Sequence, residues 1–108
     1  MIKRGDIWWV RFGPSVGGEI QKTRPAVVVS NNAFNRHMNR VQVVALTSNV
    51  SRLYPGQSLV KVGNRGSKAM TDQIQTTSKQ RLLKKIGRVG RHDMSNLDRA
   101  IKVQLGLT

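Results

Sequence analysis

The 108-residue sequence predicts a mainly β domain of α+β class, with five or six short strands in a small barrel and one helix at the C-terminus. Three observations carry that expectation. Short apolar runs rich in valine and tryptophan recur between breaks rich in glycine, proline and asparagine. Helical periodicity is convincing only near the C-terminus. There is no alternation of strands with long helices, which argues against a doubly wound parallel sheet. The length fits a single domain over residues 1–108.

Residues 7–12, Ile-Trp-Trp-Val-Arg-Phe, read as the first strand. Gly13, Pro14, Ser15, Val16, Gly17 and Gly18 break it and predict a flexible loop that opens onto Glu19. Pro25 is expected to begin the next strand, because proline cannot donate to a ladder. Residues 26–29, Ala-Val-Val-Val, then suit a strand buried on both faces. Residues 31–39 have turn-rich ends and a middle that fits one or two helical turns. Residues 41–46 form a third strand and end in the polar cluster Thr47, Ser48 and Asn49. Tyr54, Pro55 and Gly56 mark a turn before a fourth strand at residues 58–62. Gly63, Asn64, Arg65 and Gly66 mark another turn, and residues 69–76 read as a further strand interrupted by Asp72. Residues 78–83 fit a short helical turn, and residues 85–89 a last strand. Ser95 and Asp98 form a capping-box-like pair that predicts the start of the terminal helix. Leu97, Ala100, Ile101, Gln104 and Leu105 share one of its faces, and Gly106 is placed to end it.

Charge narrows the partners. Lysine and arginine total 19 against 5 acidic residues, a formal net charge of +14. A surface built only for solubility carries about 2–8 charges in magnitude. The excess costs self-repulsion and points to a polyanion. No amphipathic basic helix is long enough to lie on a membrane, and the apolar run at residues 26–29 is far too short to span one. Nucleic acid is therefore the first reading, with an acidic protein second and compatible with it. Cysteine is absent, which rules out disulfides and thiolate metal sites. Basic residues near Met1 are followed by no continuous apolar stretch, so no signal peptide is expected and the cytoplasm is the expected compartment.

Metal chemistry is poorly supplied. His37 and His92 match no ligand spacing. Asp93 and Asp98 are accounted for by the terminal helix and Asp6 by a strand start, which leaves Glu19 and Asp72. A two-metal nuclease needs clustered carboxylates, so neither metal nor cofactor is expected. Metal-free RNA cleavage stays open, because RNA carries its own nucleophile in the 2′-hydroxyl. An arginine fork matches phosphate, and a hydroxyl can add a further hydrogen bond. Arg24 stands at the foot of one apolar strand, and Thr47 and Ser48 at the end of another. An ordinary phosphate-contacting arginine and an ordinary strand-edge threonine fit these positions equally well.

Longer motifs add a resemblance. Arg4-Gly5-Asp6-Ile7-Trp8-Trp9-Val10, Gly17-Gly18-Glu19 and Thr23-Arg24-Pro25-Ala26-Val27-Val28-Val29-Ser30-Asn31 resemble the MazF/PemK family of toxin endoribonucleases. Leu46-Thr47-Ser48, Asp72-Gln73-Ile74, Lys79-Gln80-Arg81-Leu82 and the segment 100–107 extend the match over nearly the whole chain. The resemblance implies an SH3-like barrel with a C-terminal helix, acting as a homodimer. It implies metal-independent cleavage of single-stranded RNA, such as mRNA, at short sequences, leaving 2′,3′-cyclic phosphate and 5′-hydroxyl ends and arresting translation and growth. The family's catalytic arginine falls on Arg24, its threonine on Thr47 and its loop glutamate, for substrate positioning or as base, on Glu19. An antitoxin with an acidic extended tail is the implied protein partner. The loop from Glu19 to Arg24 reads Ile-Gln-Lys-Thr where many members carry glycines, and residues 48–58 form a short loop. Both departures bear on the cleavage sequence rather than on the catalytic pair.

Lys22, Thr23, Ser48, Lys79, Lys84 and Lys85 are the expected RNA contacts, the three lysines from 79 on lying in the densest basic stretch with Arg81, Arg88 and Arg91. Trp8 and Trp9 must face opposite ways on a strand, one into the core and the other toward an interface or RNA. Phe34 and Tyr54 lie beside polar loops, where packing competes with base stacking. Two alternatives remain at this level: a non-catalytic RNA-binding barrel, and a poison acting on DNA through a protein target. Neither needs Arg24 paired with Thr47.

Overall fold

A computed structural model describes residues 1–14, 16–19 and 22–107. Ser15, Ile20 and Gln21, which belong to the two loop segments discussed above, lie outside the described residues. The elements run β1 (Asp6–Phe12), β2 (Lys22–Val28), α1 (Asn32–His37), β3 (Arg40–Thr47), β4 (Ser58–Val62), β5 (Arg65–Ala69), β6 (Gln75–Ser78), β7 (Leu82–Arg88) and α2 (Arg91–Gln104). Short 3-10 turns occupy Thr71–Gln73 and Lys79–Arg81. The sheet order is β4-β5-β3-β2-β1-β7, with β6 on β3, and every pairing is antiparallel.

Alternation along β1 to β3 builds a core on each face of the sheet. Ile7, Val27 and Val44 are register partners and pack with Leu46, Val60, Ala69 and Leu97 of α2. Val10, Phe12, Ala26, Val28, Val43 and Ala45 form the second cluster, with Trp8 packed against it. Each fully buried valine or leucine contributes about 1.5–3 kcal/mol. The all-apolar reading of residues 26–29 follows from this geometry, since β2 lies between β1 and β3 and is covered on both faces.

Several boundaries differ from expectation. The described residues form seven strands, one more than the six segments read as strands. The extra one is β5, whose Arg-Gly-Ser-Lys-Ala sequence reads as a turn but which pairs with both β4 and β3. Its pairing comes from tertiary neighbours, which override weak intrinsic preference. The strand expected over residues 69–76 is instead the end of β5, a 3-10 turn and the start of β6. Leu82 and Leu83 belong to β7, not to the helical turn before it.

Pro25 sits inside β2 rather than at its start. It faces Trp9 of β1, and pairing with β3 begins only at Ala26. Its missing N–H is thus tolerated where β2 still has one free side. Helix α2 starts at Arg91 behind Gly90, four positions before the expected Ser95. Asp93 in its first turn accepts a 3.0 Å hydrogen bond from the Lys61 amide of β4, while Asp98 pairs with Arg4 at 2.6 Å. Asp93 therefore fastens the helix to β4, and Asp98 fastens it to the segment before β1. Gly106 ends it at φ +70°, with the Leu107 amide donating to the Lys102 carbonyl.

Candidate active site

The ends of β2 and β3 place the two residues of most interest. Their register pairs Ala26 with Ala45, Val27 with Val44 and Val28 with Val43. Extended by two residues, that register puts Arg24 across from Thr47. Opposed residues of an antiparallel pair project to the same face. The β2–β3 ladder ends at Ala26 and Ala45, and on its other side β3 is held by the Met70 amide donating to the Ala45 carbonyl. Both residues are half-buried, so each is held by packing and open to a ligand. The Thr47 hydroxyl oxygen accepts from the Asn49 amide at 3.3 Å. That bond uses a lone pair and leaves the hydroxyl proton to donate elsewhere.

Beside these strand ends lies a groove of about 660 Å3. Trp9, Pro25, Leu46, Val62 and Ile86 supply its apolar surface. Lys22, Thr23, Arg24, Ser48 and Arg65 line it as polar or cationic groups. Four of the expected site residues thus converge, Lys22, Thr23, Arg24 and Ser48, while Thr47 is across from Arg24 rather than among the lining. Lys22 is the one described non-glycine residue with positive φ, at 69°. A left-handed backbone costs an ordinary residue roughly 1–2 kcal/mol. That strain sits where the loop enters the groove.

Other expected contacts are placed elsewhere. Lys79 donates its ammonium to the Asn35 carbonyl and ties its turn to α1. Lys85 pairs at 3.3 Å with Asp6, which is 0% exposed and also bound by Arg88 at 3.2 Å. Lys84 is exposed on β7, in register with Trp9. Glu19 is exposed, and its Oε1 accepts from the Val16 amide at 2.8 Å, capping its own loop. The loop is also fastened by Gln73, whose amide donates to the Gly18 carbonyl at 2.9 Å. Trp8 packs into the core, and Trp9, 37% exposed, faces the groove. Arg65 and Gln73 were not singled out as site residues: one reads as a turn and the other as part of a strand. Among the described residues no three His, Cys, Asp or Glu side chains come together as a metal site. Nor is any helix among them long and apolar enough to cross a membrane.

Comparison with known proteins adds to this geometry. Residues 3–105 match the model of the PemK-like, MazF-like toxins of type II toxin-antitoxin systems. The chain belongs to this family. Among its members, endoribonuclease MazF9 of Mycobacterium tuberculosis (strain ATCC 25618 / H37Rv) is 40% identical, over 99% of this chain and 98% of its own length. Endoribonuclease EndoA of Bacillus subtilis (strain 168) is 30% identical, over 99% and 97%. A mycobacterial endoribonuclease solved in complex with its cognate antitoxin superposes with TM-score 0.83, at 28% identity, over 100% of this chain and 98% of that one. MazF from Deinococcus radiodurans, at 22% identity, shares the fold with TM-score 0.84, over 97% of this chain and 96% of that one.

Proposed function

We propose that this chain is a metal-independent endoribonuclease, the toxin of a toxin-antitoxin pair, that cleaves single-stranded RNA at specific sequences. The placement of Arg24 opposite Thr47 at the mouth of the β2–β3 ladder carries the reading. The RNA 2′-hydroxyl attacks the adjacent phosphorus, the bond to the 5′-oxygen breaks, and a 2′,3′-cyclic phosphate and a 5′-hydroxyl result. The reaction accumulates charge on the phosphoryl oxygens. The Arg24 guanidinium donates to them, and the Thr47 hydroxyl adds a second hydrogen bond. A guanidinium keeps its proton in proteins, so Arg24 acts through charge rather than as a base. Glu19, which caps its own loop, positions that loop beside the substrate.

Lys22, Thr23 and Ser48 contact RNA in the groove, and Lys84 continues the phosphate path beside Trp9. Lys79 and Lys85 act mainly through the fold, since their ammonium groups are engaged within the chain. The groove joins apolar side chains to Lys22, Arg24 and Arg65, which suits an extended acidic antitoxin segment with apolar anchors. Incubation of the pure protein with long single-stranded RNA in excess chelator tests the reading. Discrete fragments with cyclic-phosphate ends are expected, and intact RNA would contradict it.

A further inference from the structure

The segment between β5 and β6 is built as a fixed platform. Met70 packs against the core cluster of Val10 and Ala45, and Ile74 against that of Ile7 and Leu97. The 3-10 turn between them, Thr71–Gln73, is thus anchored in both cores. The Gln73 amide donates to the Met70 carbonyl at 2.8 Å, and the Ile74 amide to the Thr71 carbonyl at 3.3 Å. Thr71 is buried, and its hydroxyl donates to the Gly56 carbonyl. The Met70 amide, at 2.9 Å from the Ala45 carbonyl, ties the platform to the end of β3 that carries Thr47.

The loop that carries Glu19 is built in the opposite way. Its turn closes on itself: the Glu19 amide donates to the Val16 carbonyl at 3.3 Å, and the Val16 amide to the Glu19 carboxylate at 2.8 Å. Val16, Gly17, Gly18 and Glu19 are all exposed. Among the described residues, nothing lies within 4 Å of where a Cβ would stand on either glycine. Such a turn has a defined shape, but few buried contacts give it a defined place. Gln73 supplies the place. From the platform, 55 residues away in sequence, its side-chain amide donates to the Gly18 carbonyl at 2.9 Å. The bond grips the backbone of the turn, so it holds the turn as a unit.

We propose that Gln73 is the positioning residue of the Glu19 loop, a latch that holds the loop at the mouth of the groove before RNA arrives. Gln73 acts through the loop and touches no reacting atom. This role rests on the reading in which that loop lies beside the substrate of Arg24 and Thr47. A latched loop is already in the form that binds RNA. A released loop binds only in the fraction of molecules that hold that form, and the apparent affinity falls by the same fraction. At saturation the RNA itself orders the loop, so the chemical step is spared.

The chain has no cysteine, so Val16→Cys gives a single site for a nitroxide spin label. In the free protein the label is restricted. Gln73→Met, which keeps the length and neutrality of the side chain but removes its donor, releases the label to faster motion. Gln73→Glu, of the same shape and without a donor when ionised, releases it as well. In single-turnover cleavage, Gln73→Met raises the protein concentration for half-maximal rate about five-fold, the worth of one net hydrogen bond, and changes the saturated rate by less than about two-fold. In a Glu19→Ala background, where the turn has lost its own closure, Gln73→Met has little further effect on half-saturation. A label equally mobile with and without the Gln73 amide, or a half-saturation shift that persists in full in Glu19→Ala, would overturn the proposal. Cleavage by Arg24→Ala would overturn the catalytic reading alone, since the label is read without RNA.

Discussion

Arg24 leaves β2 two residues before that strand gains β3 as its second neighbour, with Pro25 behind it in register with Trp9. Its backbone is therefore ordered by a packed strand while its side chain stays at the mouth of the groove. Preorganised donors of this kind typically account for about 100- to 1,000-fold in rate each. Thr47→Ala should lower the single-turnover rate by that order with little loss of RNA affinity, as gel shift with an uncleavable strand would show. An unchanged rate would remove Thr47 from the chemistry. Glu19 allows a sharper distinction. A glutamine can still accept the Val16 amide bond, so Glu19→Gln should cleave within a few-fold of wild type, while Glu19→Ala loses more. If Glu19→Gln were as inactive as Arg24→Ala, Glu19 would be the base.

β1 and β7 are joined across a register that shifts twice, and Asp6 compensates at the irregular end. Its buried carboxylate accepts from the Lys3 amide at 2.8 Å and binds Lys85 and Arg88. Both cations remain about half-exposed, at 43% and 54%, which discounts the Coulomb gain. Asp6→Asn should cost about 1–3 kcal/mol, visible as a lower thermal midpoint. An unchanged midpoint would mean that the ion pairs are not holding the strand. The main strands, α1 and the face of α2 were legible in the sequence, because valine runs, glycine and asparagine breaks and helical spacing report directly on burial. β5 was not legible: Arg65, Gly66 and Ser67 lack any periodic signal, and only β3 and β4 make them a strand. The start of α2 was misplaced for a related reason, since Gly90 caps it without a side-chain bond. Arg24 and Thr47 were legible as candidates at two strand ends, but their opposition depends on the β2–β3 register, which no local pattern encodes.

A net charge of +14 belongs to the whole molecule. RNA binding should weaken steeply with salt, each phosphate contact adding about −0.7 to the slope on a single strand. A flat salt titration would separate the basic surface from RNA recognition. Leu53, Leu59 and Val103 are exposed together along one groove, an apolar patch that suits association. A homodimer should therefore appear in sedimentation at micromolar concentration, and a monomer would contradict that assignment. The central claim, cleavage by the RNA's own 2′-hydroxyl under the charge of Arg24, is tested most directly by single-turnover cleavage of paired strands. One strand is all ribose, and the other has a single 2′-deoxy nucleotide at the mapped cut site. The wild-type protein should bind both and cut only the first, and Arg24→Ala should fold, bind and cut neither. Cleavage of the deoxy strand, or near-normal cleavage by Arg24→Ala, would contradict it.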